Sequence, residues 1–221
     1  MLFRSVGNVT WIGARGDDLL AFDTGPGNAL IDDWVAAHTD MAFDAGGALA
    51  ASGYVHNEAL IRLMDNPYFA RRPPKSLDRD DFGSAPCAGL SAADGAATLA
   101  AFTVAAVVSA VAHLPAPPRR WLVTGGGRHN ATLLAGLSRA LGAPVAPVEA
   151  VGWDGDALEA QAFAWLAVRV LDGLPLSWPG TTGVPAPQTG GRTFGAGPQA
   201  NRSAALMSGL SSGATGKAVT T

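Results

Sequence analysis

Apolar residues along this chain fall into short strand-like runs, each of which leads into a helical pattern. Two such runs, at residues 9–12 and 19–22, flank a turn-rich link at 13–18, and this arrangement predicts a β-hairpin. A helix is predicted directly after the second run. Its apolar side is formed by Ile31, Trp34, Val35 and His38.

The same order of strand and helix returns twice further along the chain. Residues 121–124 form an apolar run, and the leucines that follow Asn130 keep a helical spacing up to Gly142, a typical helix end. A third helix is predicted over residues 154–171. Strands that alternate with helices in this way predict an α/β fold.

Glu159 lies in the first turn of the third predicted helix. The spacing places it on one stripe with four apolar residues, so we expect it on the buried side of the helix. These residues are Ala162, Phe163, Leu166 and Val170. Either the carboxylate complements the helix dipole, or it is aimed into a cleft as a hydrogen-bond acceptor or acid/base group.

Residues 95–118 carry no formal charge and are long enough to cross a bilayer. Most of the stretch is alanine, and it also contains threonine, serine and histidine. The larger apolar side chains recur as on one face of a half-buried helix, at Val104, Val107, Val108 and Val111. This pattern favours a packed core helix over a transmembrane span.

Composition and charge exclude several classes of protein. Charged residues make up 15% of the chain and hydrophobic residues 48%, which indicates a folded, core-rich protein. The net charge of −3 gives no electrostatic reason to expect nucleic acid or an anionic membrane as a partner. The single cysteine, Cys87, excludes a disulfide framework, and the first residues lack a secretory pattern. We therefore expect a cytoplasmic protein.

The acidic residues are confined to one part of the chain. All 18 lie at or before Asp172, so residues 1–172 carry a net charge of −6 and residues 173–221 carry +3. The final residues are rich in Gly, Ser, Thr and Ala and have no periodic pattern. The sequence thus predicts one folded domain over residues 1–192 and a low-complexity, disordered tail over residues 193–221.

A first glycine loop, residues 23–28, joins the second strand of the hairpin to its helix. Glycines at positions 25 and 27 allow backbone amides to approach a ligand closely, and Asn28 is placed to cap the helix. Asp23, at the end of the strand, is placed to hold a magnesium-bound water. The alternative is an ordinary strand–helix turn without a ligand.

A second glycine loop, residues 125–130, contains three consecutive glycines between a strand and a helix. They clear side chains from a place where a phosphate or a flat ring could lie, which favours nucleotide binding. Gly125, Gly127 and Asn130, with Glu149 downstream, also come close to a dinucleotide-binding fingerprint, but its third glycine is missing.

Several segments of this chain, taken in order, resemble the C-terminal part of anhydro-N-acetylmuramic acid kinase. The resemblance covers roughly residues 7–192. It is carried by Asn8-Val9-Thr10, residues 21–28 with Leu30-Ile31-Asp32, Asn66-Pro67-Tyr68-Phe69, Pro73-Pro74-Lys75-Ser76, residues 124–130, residues 159–167 (EAQAFAWLA) and Thr181-Thr182-Gly183.

The resemblance implies the C-terminal lobe of an actin-like or ribonuclease H-like ATPase fold, a mixed sheet flanked by helices. It implies ATP and Mg²⁺ as cofactors, a small anhydro-sugar substrate and a homodimer. The reaction would be phosphorylation of 1,6-anhydro-N-acetylmuramic acid with opening of the anhydro ring. The product, N-acetylmuramic acid 6-phosphate, belongs to peptidoglycan recycling and amino-sugar catabolism.

Particular residues take roles through this resemblance. The first glycine loop would be a phosphate loop, with Asp23, Thr24, Gly25, Gly27 and Asn28 as its nucleotide-binding residues. The second would lie on the adenosine side, with Gly125, Gly126, Gly127, Arg128 and Asn130. Glu159 would face the sugar, and Asp23 would hold Mg²⁺ through water.

The chain also departs from the family pattern. The family's Gly-Thr-Ser-Leu-Asp-Gly phosphate loop, its aspartate base and its Asn-Ile-Gly-Gly strand are absent from the sequence. We therefore expect a kinase fragment without its N-terminal lobe that is inactive by itself. The alternative is a non-catalytic remnant that binds nucleotide or sugar. The roles of Lys75 and His129 are open at this point.

Overall fold

The structure is a computed structural model that describes residues 6–15 and 18–194. Its first unit is an antiparallel hairpin of β1 (Gly7–Ile12) and β2 (Leu19–Gly25), in which Val9 pairs with Phe22. Both of these side chains are buried, and they pack against Ala110. The predicted hairpin is confirmed.

Four helices form the main core beside this hairpin. They are α1 (Ala29–His38), α2 (Ala48–Ser52), α3 (Asn57–Met64) and α4 (Ala92–Ala110). α4 lies at the centre, because α1, α2 and α3 all pack against it. Ser91 caps α4 by accepting a hydrogen bond from the Asp94 amide at 3.1 Å.

The long uncharged segment forms α4 and the 3₁₀ turn Val111–His113 that follows it. Ala92–His113 is the one described helix long and apolar enough to cross a membrane, and 56% of its most apolar window is buried inside the protein. Leu99 and Phe102 are fully buried, whereas the four predicted valines are only half-buried. The packing supports a core helix. Its most buried side contains Leu99 and Phe102 and not the four valines.

The next unit is a parallel pair with a crossover helix. Strands β3 (Trp121–Val123) and β4 (Val145–Pro147) run parallel, and α5 (Ala131–Ala140) connects them. In the part of the chain that the structure describes, the hairpin and this pair are two separate two-stranded sheets and not one mixed sheet. They are joined by side-chain packing, since the hairpin and α5 both pack against α4.

The last two helices in the described part of the chain are α6 (Leu158–Leu171) and α7 (Pro179–Thr182). α6 begins four residues later than predicted, because the Asp154 carboxylate accepts from the amides of Asp156 and Ala157 and makes a turn there. None of the residues of α6 is buried. The expectation that Glu159 lies on a buried stripe was wrong: Glu159 is exposed, and the Phe163 side chain is 66% exposed.

The C-terminal part of α6 is held by the segment that follows it. The Arg169 guanidinium lies 4.6 Å from the Trp165 ring centre and 5.3 Å from that of Trp178. Its Nε donates to the Pro175 carbonyl at 2.5 Å. The predicted tail lies outside the described residues apart from residues 193 and 194, so its disorder stays a prediction.

Candidate functional site

The two glycine loops lie next to each other. A Cβ placed on Gly127 would be 3.7 Å from Oδ1 of Asn28. Residues about 100 positions apart are thus close neighbours, because the hairpin unit and the β3–α5 unit both pack on α4. The structure therefore brings the two predicted loops into one region.

The inner part of the first glycine loop is packed inside the protein. Thr24 and Gly25 are buried, and a Cβ on Gly25 would be only 2.7 Å from the Ala106 Cβ of α4. This glycine therefore serves close packing of the loop on the helix. The Thr24 side chain, 2% exposed, does not reach the surface.

The outer part of the same loop faces the second loop. Gly27 has a positive φ of 57°, and its carbonyl accepts a hydrogen bond from Thr103 Oγ1 at 2.7 Å. Asn28 occupies the N-cap position of α1 but makes no side-chain capping hydrogen bond, so the predicted cap was wrong. Its backbone is already helical, with φ −81° and ψ −12°, so the residue lacks the extended conformation of a side-chain cap.

Asp23 holds the loop to a neighbouring segment. Its Oδ2 accepts a hydrogen bond from the Leu77 amide at 2.8 Å, and its amide donates to the Lys75 carbonyl at 3.2 Å. The Asp23 carbonyl accepts from the Tyr68 hydroxyl at 2.7 Å. One carboxylate oxygen is therefore engaged in the fold, and Oδ1 is the better placed of the two to accept from a magnesium-bound water.

Lys75 is buried beneath this strand end, which the amino-acid pattern around it hardly indicated. Its Nζ donates to the Tyr68 carbonyl at 3.0 Å and lies 4.5 Å from the centre of the Tyr68 ring. Burial, and then the charge of Arg71, lower the pKa of Lys75. Lysines are rarely buried without a partner. The hydrogen bond to the Tyr68 carbonyl therefore identifies Lys75 as a residue that fixes the backbone at Tyr68. The Pro-Pro-Lys-Ser pattern was the one available signal.

The second glycine loop is open on its outer side. It forms a 3₁₀ turn, Gly126–His129, after Gly125, whose φ is +67°. A Cβ placed on Gly125 or on Gly126 would have no atom within 4 Å. These two glycines therefore leave free space at the surface next to Gly127 and Asn28, which fits a bound planar or phosphate group.

Two residues that the sequence assigned to nucleotide contact have internal partners. Asn130 is 4% exposed, and its Oδ1 caps α5 by accepting from the Leu133 amide at 3.0 Å. Arg128 is buried and pairs with Glu149 and Asp156. His129, by contrast, is exposed.

The ion pairs of Arg128 set the protonation of its partners. Hydrogen bonds from the guanidinium lower the pKa of Asp156, and the Glu149 pKa is lowered by its own backbone amide and then by Arg128. In turn the two carboxylates raise the pKa of Arg128. All three groups are therefore charged near neutral pH.

No group of three or more His, Cys, Asp or Glu side chains that could hold a metal ion occurs among residues 6–15 and 18–194. A metal in this region would therefore take few ligands from the described protein. Mg²⁺ commonly binds in this way, through one or two carboxylates together with substrate phosphates. Asp23 fits that pattern through its free oxygen.

Comparison with known proteins identifies the family. The family model for anhydro-N-acetylmuramic acid kinase matches residues 4–196, a range that contains both glycine loops. The chain belongs to the anhydro-N-acetylmuramic acid kinase family. The resemblance of the sequence segments to this family is thereby confirmed.

Curated relatives carry the same family name. The chain is 64% identical over 198 residues to the anhydro-N-acetylmuramic acid kinase of Acidiphilium cryptum, a match that covers 88% of this chain and 54% of the relative. It is 61% identical over 186 residues to that of Rhodospirillum rubrum, covering 84% and 50%. The chain spans about half the length of the curated relatives it matches.

Membership of the anhydro-N-acetylmuramic acid kinase family argues against the dinucleotide alternative, and so does the geometry. The acid of that fingerprint, Glu149, is engaged by Arg128 at 2.8 Å. The position of the third glycine is taken by Asn130, which caps α5. Neither residue is left for the role that a dinucleotide site requires.

Proposed function

We propose that this chain is the nucleotide-binding part of an anhydro-N-acetylmuramic acid kinase. The observation that carries the proposal is the proximity of the two glycine loops, at Gly127 and Asn28. Both loops belong to the matched family range. The phosphates of ATP would lie against the partly exposed outer part of the first glycine loop, at Gly27 and Asn28, and its adenosine side against residues 125–127.

The chemistry of the two loops supports this proposal. Each loop leads directly into a helix, α1 at Ala29 and α5 at Ala131, and helix N-termini favour anions through free amides and the helix dipole. Phosphoryl transfer depends mainly on positioning and on stabilisation of charge. Mg²⁺, when bound, would neutralise phosphate charge, and Asp23 would hold it through water.

The full reaction is proposed from the family name of the relatives. The γ-phosphoryl group of ATP would be transferred to the oxygen on C6 of 1,6-anhydro-N-acetylmuramic acid, while water adds at C1 and the bridging C1–O bond breaks. The products would be ADP and N-acetylmuramic acid 6-phosphate. Glu159, exposed on α6, would contact the sugar.

The setting of the reaction follows from the same proposal. It would be cytoplasmic recycling of peptidoglycan sugars by a homodimer, without nucleic acid or a membrane as partner. The exposed apolar side of α6, with Phe163 and Leu171, supports association between copies.

A second candidate is a non-catalytic remnant that binds nucleotide or sugar. It is favoured by the absence of the Gly-Thr-Ser-Leu-Asp-Gly loop and the family's aspartate base from residues 1–221. Both candidates require a nucleotide or sugar site. They differ in turnover.

Gly126→Val tests the nucleotide site directly. Gly126 lies outside the left-handed backbone region and a Cβ there meets nothing within 4 Å, so the variant is expected to fold like the wild type. The branched side chain fills the open space of the loop, and we expect affinity for MgATP to fall at least tenfold. Titration calorimetry on the purified full chain measures this.

Gly83→Val is the matched control for this experiment. Gly83 is also exposed, has no neighbour within 4 Å of a built Cβ and lies outside the left-handed region, but it belongs to neither glycine loop. Its affinity should equal that of the wild type. Equal MgATP affinity in Gly126→Val and wild type would overturn the placement of the nucleotide at this loop.

A further inference from the structure

Arg128 makes three polar contacts although it sits in a glycine-rich loop. Its Nε donates to Glu149 Oε1 at 2.8 Å, its Nη1 to the Gly125 carbonyl at 2.9 Å and its Nη2 to Asp156 Oδ1 at 2.5 Å. The Arg128 side chain is only 5% exposed. A guanidinium with this burial and three partners offers little to a ligand outside the loop.

The partners come from two further parts of the chain. Glu149 lies in the 3₁₀ turn Val148–Val151 after β4, and Asp156 lies two residues before α6 begins. Gly155, between them, leaves room for the contact, because a Cβ there would collide with Arg128 Nε and Glu149 Oε1. The arrangement is therefore a built junction of three segments, which we name the arginine clamp (Arg128, Glu149, Asp156 and Gly155).

A loop of three glycines needs such a clamp. Glycine has the largest conformational freedom of any residue, so a free loop would lose much entropy when a ligand orders it. A loop that is already fixed does not incur that loss on binding, and its affinity is higher for this reason. The Nη1 contact to the Gly125 carbonyl fixes the residue at which the chain turns with φ +67°.

We propose that Arg128 is a positioning residue that orders the second glycine loop for nucleotide binding through Glu149 and Asp156, without contact to the nucleotide. This replaces the direct contact expected from the sequence. The proposal rests on the proposed function as far as the nucleotide is concerned. The ordering of the loop itself is independent of it and is measured separately.

The first measurement is amide hydrogen exchange on the full chain without nucleotide. The amides of Arg128 and Asn130 donate to the carbonyls of Gly125 and Gly127, and they report on the loop. In Arg128→Lys and in Asp156→Asn we expect both to exchange at least tenfold faster, with the amides of α4 unchanged. Asp156 is 83% exposed, so its variant keeps the test valid if Arg128→Lys fails to fold.

The second measurement is titration calorimetry with MgATP on the same proteins. We expect affinity to fall about tenfold in Arg128→Lys, because an ammonium cannot reproduce a fork with three partners. Asp156→Asn should lower it less, and adding it to Arg128→Lys should cause little further loss. Arg139→Lys, on the exposed side of α5, is the matched control and should change neither measurement.

The outcomes separate the two proposals. Absence of MgATP binding by the wild type refutes the nucleotide site. In that case hydrogen exchange at the loop still tests whether the arginine clamp orders the loop. Unchanged exchange in Arg128→Lys overturns the clamp. If Arg128→Lys exchanges faster at the loop but binds MgATP like the wild type, the role of the clamp in binding is overturned. If exchange also becomes faster throughout α4, Arg128 stabilises the whole fold and is not a positioning residue of the loop.

Discussion

At the scale of single residues, the end of β2 shows how side chains fix a ligand loop from behind. The Tyr68 hydroxyl donates a hydrogen bond to the Asp23 carbonyl, and the Lys75 ammonium donates to the Tyr68 carbonyl. The Asp23 carboxylate accepts from the Leu77 amide. His113 adds a contact of 2.9 Å to the Phe69 carbonyl. The Tyr68 hydroxyl thus fixes the backbone of the first glycine loop, and Lys75 and His113 fix the segment that carries this hydroxyl.

The burial of Tyr68 predicts a loss of stability at alkaline pH. Burial, and then the negative charge of Asp23, raise the pKa of Tyr68 to about 12 from an ordinary 10. A pKa raised in the folded state means that its stability contribution is complete below pH ~10 and is lost as the pH rises through ~12, about 2–3 kcal/mol in all. We expect urea unfolding to become easier in that range.

The chain offers a direct spectroscopic measurement of this. It contains two tyrosines, Tyr54 and Tyr68, so Tyr54→Phe leaves Tyr68 as the single ionising phenol. Its phenolate absorbance should develop near pH 12, together with unfolding. Reversible ionisation near pH 10 in the folded protein would contradict the burial of Tyr68.

At the scale of elements, α4 and α6 are apolar helices with opposite environments. α4 carries ten buried residues, whereas none in α6 is buried. The apolar residues of α6 thus lie at the surface and not in the core. The helical spacing of Ala162, Phe163, Leu166 and Val170 explains why the sequence predicted burial there.

The same substitution, phenylalanine to alanine, can be made in both helices to compare how much each side chain stabilises the fold. Phe102 of α4 is fully buried and packs against Phe69 and Phe82, so Phe102→Ala should lower the free energy of unfolding by about 3–5 kcal/mol. Phe163 of α6 is 66% exposed, so Phe163→Ala should change it by about 0.5 kcal/mol or less. Urea denaturation of both variants measures the difference.

A large loss in Phe163→Ala would show that the outer side of α6 is covered in solution. Dependence of that loss on protein concentration would assign the cover to a second copy of the chain. Independence of concentration would contradict the exposed position of Phe163.

At the scale of the whole molecule, a hairpin unit and a β–α–β unit are joined by their packing on α4. Each unit supplies one glycine loop, and the proximity of Asn28 to Gly127 depends on both. The candidate nucleotide site is therefore a product of tertiary packing. Among residues 6–15 and 18–194 the two units do not share a sheet.

Turnover by the purified chain separates the two functional proposals. We expect no phosphorylation of 1,6-anhydro-N-acetylmuramic acid with ATP and Mg²⁺, because the sequence lacks the family's aspartate base and its Gly-Thr-Ser-Leu-Asp-Gly loop. A coupled assay for ADP, with product detected by mass spectrometry, measures this. Sustained product formation that Gly126→Val abolishes would refute the expectation and establish the chain as a kinase.

The sequence by itself determined the hairpin, both glycine loops, the crossover helix α5 and the family. The hairpin, the loops and α5 depend on residues that are close in the chain, such as the turn at 13–18 or the glycines at 125–127, so periodicity and turn chemistry were sufficient to predict them. The family followed from the resemblance of several segments in order.

Tertiary structure alone decided what the charged residues near the loops do. Asp23 meets Leu77 across 54 residues, and Arg128 meets Glu149 and Asp156 across 21 and 28. No local pattern encodes such partners, because they are set by how separate elements pack. For the same reason the sequence placed Glu159 and Phe163 inside: periodicity identifies an apolar face, but only packing determines whether another element covers it.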